Sequence, residues 1–80
     1  SDLASCVEQL KHATIPMLFI HGGADDFVPS RALDENFDAC ASIDRQKLLI
    51  PSAGHSMSAS TAPVVYWKTV TNFVTRVFGL

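Results

Sequence analysis

An α/β fold built around a two-stranded parallel βαβ unit is predicted by three observations. A continuous apolar run at residues 17–21 and a second short strand-like stretch at residues 47–50 each lead into a turn-rich loop. Between them lies a stretch with helical periodicity, and helical periodicity recurs at both ends of the chain, giving the order α-β-α-β-α. A strand, a crossover helix and a second strand form a unit that is parallel by strong preference, here flanked by helices.

Each element has its own signal. Leu3, Cys6, Val7 and Leu10 fall on one helical face behind a cap at Ser1 or Asp2, and Pro16 stops that helix. Residues 17–21 follow as a strand covered on both faces, since a parallel strand reads as a continuous apolar run. The second helix starts near Ser30, with Asp34 and Glu35 at the positive end of its dipole, Leu33, Phe37 and Cys40 as its stripe, and an end near Ser42. Lys47-Leu48-Leu49-Ile50 is the second strand, closed by Pro51. The stretch from Ser52 to Thr61 is turn-rich. The last helix opens at Pro63 and runs to about Phe78, carrying Tyr66, Val70, Phe73, Val74 and Val77 on one face, with Gly79 as terminator. Trp67 falls outside that stripe and is placed to touch a further segment.

Composition narrows the functional classes. The 80 residues make one small domain or a piece of one, and a domain this short buries only about 60–65% of the surface its unfolded chain exposes. Its core is therefore thin, and the chain begins at Ser1 with no methionine, which fits a processed or trimmed product. The six Lys and Arg are scattered and the net charge is −2, which argues against nucleic acid as a ligand. No apolar run approaches the roughly 20 residues that span a bilayer, so no membrane partner is expected and the chain reads as soluble and cytoplasmic. Cys6 and Cys40 are too few and too far apart for a disulfide framework or zinc knuckle and read as small buried hydrophobes.

The chemistry lies in the two loops. In parallel sheets ligands bind at the carboxyl ends of strands. The loop after the first strand, residues 22–29, carries Asp25 and Asp26; the loop after the second, residues 52–61, carries His55. Adjacent strands bring an Asp and a His side by side. A carboxylate placed so fixes the His tautomer and stabilises the imidazolium formed when the His takes a proton from a nucleophile. Gly54 permits the turn that presents the ring, and Gly22 and Gly23 do the same for the acid.

These residues resemble the carboxyl-terminal portion of an α/β-hydrolase, in particular bacterial esterase-like serine hydrolases. The resemblance rests on residues 15–25, Ile-Pro-Met-Leu-Phe-Ile-His-Gly-Gly-Ala-Asp, then Val28-Pro29, then Gly54-His55-Ser56. In that family an apolar strand ends in His-Gly-x-x-Asp-x-x-Val-Pro, which puts the triad acid at Asp25. The triad histidine follows a Gly after the last strand, which puts it at His55, 30 residues on. The nucleophile elbow Gly-x-Ser-x-Gly is absent from the sequence. The resemblance thus implies that residues 1–80 are a single C-terminal segment of a serine hydrolase acting on small acyl or ester substrates. Its partner is the N-terminal part of the same hydrolase, which carries the nucleophilic Ser and the oxyanion hole. No cofactor is implied, the segment alone is expected to be inactive, and its open sheet edges favour self-association.

Other roles for the same residues carry less weight. Asp26 is the alternative acid, though strand geometry and the family spacing favour Asp25; Asp25 as a mere turn residue is the alternative to catalysis. His12 reads as structural or merely exposed, and His21 as a backbone-bonded or pocket-lining residue. His21, Asp25, Asp26 and His55 together form a candidate metal set, but no short His-x-His or HExxH pair supports it, so no metal is expected. Ser52, Ser56 and Ser58 lie too close in sequence to His55 to serve as its nucleophile. A non-catalytic βαβ interaction or homodimerisation module is the competing function.

Overall fold

The structure, a computed structural model, describes residues 8–80. The first predicted helix lies outside the described residues at Ser1, Asp2, Leu3, Cys6 and Val7; residues 8–10 are helical. Strand β1 spans Met17–Gly22, helix α1 Arg31–Ala39, strand β2 Arg45–Ile50, helix α2 Ser58–Thr61 and helix α3 Pro63–Phe78. The two strands are parallel and in register from Met17↔Arg45 to Gly22↔Ile50. Both strands therefore end at the same level. The loops that leave them emerge side by side.

β2 starts two residues earlier than its apolar run, at Arg45 rather than Lys47. The cause is pairing: Met17 and Leu18 offer ladder positions to Arg45 and Gln46, whose polar side chains find partners beside the sheet. The Arg45 guanidinium stacks over the Phe37 ring at 4.7 Å and donates to the Ser42 carbonyl at 3.0 Å. Gln46 Oε1 accepts from Arg76 at 3.0 Å.

The expectation that the first strand is covered on both faces is not met. Residues 17–21 are only half-buried, and Leu49 in β2 is exposed. A two-stranded sheet is narrow, and α1, which packs on both strands, and α2, which touches β1, cover only part of it. The buried apolar side chains among the described residues are Ala32 and Leu33 of α1, Cys40, Ile50 and Ala53. Cys40 is a free, buried thiol.

α1 ends at Ala39 and not near Ser42. Cys40 turns to extended backbone (ψ 127°) while its N–H still reaches the carbonyls of Asn36 and Phe37. Ser42 is buried and its hydroxyl donates to the Asp44 carbonyl at 3.2 Å, the side-chain-to-backbone bonding that draws serine out of helices. α3 has the predicted bounds, with Pro63 in its first turn and Gly79 in the left-handed conformation (φ 69°) as its cap. Tyr66, Val70, Phe73 and Val77 are half-buried, whereas Val74, expected on that face, is exposed. Trp67 is exposed, its ring edge-on to Tyr66 at 4.9 Å. Arg76 ties the helix to the sheet through a two-pronged pair with Asp44 at 2.7 and 2.9 Å, which holds the Asp44 carboxyl below its usual range.

Candidate functional site

Asp25 and His55 meet above the ends of β1 and β2. Asp25 Oδ1 accepts the backbone N–H groups of Phe27 and Val28, both at 2.8 Å. This closes the acid loop on itself as an Asx turn and leaves Oδ2 for the His55 Nδ1, 2.9 Å away. The Asp25 side chain is 5% exposed. Burial alone pushes its pKa up, but the amide of Val28, the His55 ring and the amide of Phe27 together outweigh that and bring it down to about 2. The carboxylate is thus ionised at neutral pH and can only accept. The bond therefore requires the proton of a neutral His55 to sit on Nδ1, which leaves the Nε2 lone pair unprotonated. Among the described residues nothing bonds that nitrogen. The His55 side chain is 47% exposed.

A carboxyl ionising at about 2 in the fold, against 3.8 ordinarily, favours the native state only where it is ionised. Its contribution is complete above about pH 4 and disappears as pH falls through about 2. A carbon-detected NMR titration of Asp25 is expected to give a midpoint near 2, moving upward in a His55→Ala variant. A wild-type midpoint near 3.8 would contradict the three-bond arrangement.

Glycine matters here for space. A Cβ on Gly22 would run into the Ala53 carbonyl oxygen, and one on Gly23 would lie 2.8 Å from the Pro51 Cα. Their role is close approach of the two loops rather than the turn expected from sequence; the Gly23 and Ala24 amides bond the Ile50 and Ala53 carbonyls at 2.8 and 2.9 Å. Gly54 also departs from expectation, having neither positive φ nor crowding at its Cβ position. The positive φ of the histidine loop belongs to Ser56 (φ 58°), just after the ring. Gly22→Ala is expected to destabilise the chain by about 1–3 kcal/mol, read by urea denaturation, because backbone must give way.

The surrounding residues fall into place around this pair. A cleft of about 420 Å³ opens beside it, lined by Ile20, Val28, Ala59, Tyr66, His55 and Ser56 among others. His21 Nε2 donates to the Val28 carbonyl at 3.0 Å and passes 3.6 Å from Asp25 Oδ2, so it both bonds backbone and lines the cleft. Asp26 is exposed, with no hydrogen bond to its carboxylate among the described residues, and His12 is exposed too. The candidate metal set does not assemble: among the described residues no group of three or more His, Cys, Asp or Glu side chains is placed to hold an ion. Ser56 and Ser58 reach the cleft wall, and neither hydroxyl bonds the imidazole.

Two features escaped sequence reasoning. The Phe27 ring packs edge-on to His55, with centroids 5.1 Å apart at 63°. Only an aromatic residue inside the acid loop hinted at it. Tyr66, read as part of the apolar stripe, also faces the cleft, because the short helix α2 carries the chain back across the histidine loop.

By family-model match this parallel strand pair belongs to a hydrolase of the α/β-hydrolase superfamily. The family model described as serine aminopeptidase, S33 matches residues 2–61, and the chain belongs to that family. The matched stretch takes in both strands, α1 and both loops, and stops at the end of α2. No curated protein and no solved structure gives a significant match. Among the described residues no helix is long and apolar enough to cross a membrane.

Proposed function

We propose that this chain supplies the acid and the base of a serine hydrolase acting on carboxylic esters or related acyl substrates. Asp25 orients His55; His55 takes the proton of the attacking serine through Nε2 and then delivers it to the leaving group. The serine and the oxyanion donors come from an N-terminal part of the same hydrolase, and residues 1–80 form its C-terminal segment, inactive by itself. The observation that carries this reading is the 2.9 Å bond from His55 Nδ1 to an Asp25 carboxylate held ionised by two amides. It leaves a basic nitrogen at the edge of a cleft.

The test is fluorophosphonate labelling of the source lysate, capture with an antibody against residues 1–80, and intact mass. A labelled polypeptide much heavier than 8.7 kDa supports the reading. An unlabelled species of that mass overturns it. The second reading, a non-catalytic module that pairs with itself or a partner, is favoured by the exposure of Val64, Trp67 and Phe78 along α3 and of Leu80 just beyond it. It expects a stable, monodisperse oligomer that no serine probe labels.

A further inference from the structure

We infer that His21 is a positioning residue for the acid: by holding the Val28 carbonyl it keeps the Phe27 and Val28 amides on Asp25, and so keeps the carboxylate aimed at His55. The inference rests on the proposed acid and base roles of Asp25 and His55, and adds the group that holds the acid in place.

The acid loop is anchored unevenly along its length. Main chain holds its first half, since the Gly23 and Ala24 amides bond the Ile50 and Ala53 carbonyls and the Asp25 amide bonds the Gly22 carbonyl at 3.2 Å. From Asp26 to Val28, among the described residues, no backbone group bonds another backbone group. Two side chains hold this half instead. Asp25 Oδ1 accepts the N–H groups of Phe27 and Val28, and His21 Nε2 donates to the Val28 carbonyl at 3.0 Å. Val28 is thus gripped from both sides. His21 stands on β1, paired with Leu49 in the ladder, so its grip ties the loop to the sheet rather than to another loop. A carbonyl can only accept, so a neutral His21 carries its proton on Nε2, the opposite tautomer to His55. The same nitrogen lies 3.6 Å from Asp25 Oδ2, too far for a hydrogen bond. His21 therefore acts on the acid through Val28. Without it, Asp25 would have to hold the loop and orient His55 unaided.

The test compares two variants of the full-length polypeptide carrying this chain. His21→Phe keeps a ring and removes the donor, whereas His21→Gln places an amide nitrogen where Nε2 stood. A displacement of about 1 Å at a reacting group costs up to about 10²-fold, so His21→Phe is expected to lower kcat by about 10- to 100-fold with little change in KM. In that variant the Asp25 midpoint is expected to rise from about 2, and the Phe27 and Val28 amides to exchange faster with solvent. His21→Gln is expected to restore all three. Equal losses in the two variants would mean that the ring matters for its packing and not its donor, and would overturn the inference. So would an unmoved Asp25 midpoint with unmoved amide exchange. Should His21→Phe not fold, His21→Asn, whose amide is too short to reach the Val28 carbonyl, takes its place against His21→Gln. If the wild type cleaves no ester and resists fluorophosphonate, the hydrolase reading has failed; the Asp25 midpoint and the two exchange rates then decide the role of His21 in the same directions.

Discussion

Replacing His55 with alanine in the full-length polypeptide is expected to lower kcat by about 10³-fold or more with little change in KM, because triad losses remove transition-state chemistry rather than substrate binding. The fold tolerates the change. The His55 side chain is 47% exposed, and Asp25 keeps both backbone amides when the ring is gone. Circular dichroism and an unshifted unfolding midpoint would establish that the variant is folded. A folded variant retaining kcat within about tenfold would refute the role of His55 as general base.

Asp25→Asn is expected to cost a similar factor by a different route. The amide oxygen can still accept from Phe27 and Val28, which leaves the Nδ2 group facing His55 Nδ1. That group donates, so His55 Nδ1 must accept and the ring proton moves to Nε2, where the lone pair is needed. A wrong tautomer of this kind lowers kcat by about 10⁴-fold in a Ser-His-Asp triad. Asp26→Asn, at an exposed carboxylate with no partner among the described residues, is expected to change kcat far less. Equal effects of the two substitutions, or the reverse order, would move the acid role to Asp26. The pair of variants separates the two candidates within one assay.

What the sequence revealed tracks how local each signal was. β1 stood out because four apolar residues run unbroken up to His21 and Gly22, and α3 because a proline and a glycine mark its two ends. The adjacency of residues 25 and 55 was legible from topology, since two parallel neighbours in register must end together. Signals that depend on a distant partner were not legible. Arg45 and Gln46 look like loop residues until Phe37 and Arg76 are seen to hold their side chains. The early end of α1 depends on where the Ser42 hydroxyl points, and the crowding at Gly22 on a carbonyl 31 residues away. α2 has no apolar stripe of its own and forms as a single turn linking the histidine loop to α3.

The division of labour within the Asp25 carboxylate bears on how this segment would change over generations. One oxygen holds the loop together and the other holds His55, so position 25 stays useful to the fold even in a lineage that no longer performs chemistry. His55 has no such second occupation: among the described residues its one hydrogen bond is to Asp25, and its ring is half open to water. Selection for folding would keep an aspartate at 25 while 55 drifted. Among descendants of this chain, an intact acid loop would mark shared ancestry, and the histidine would mark retained activity.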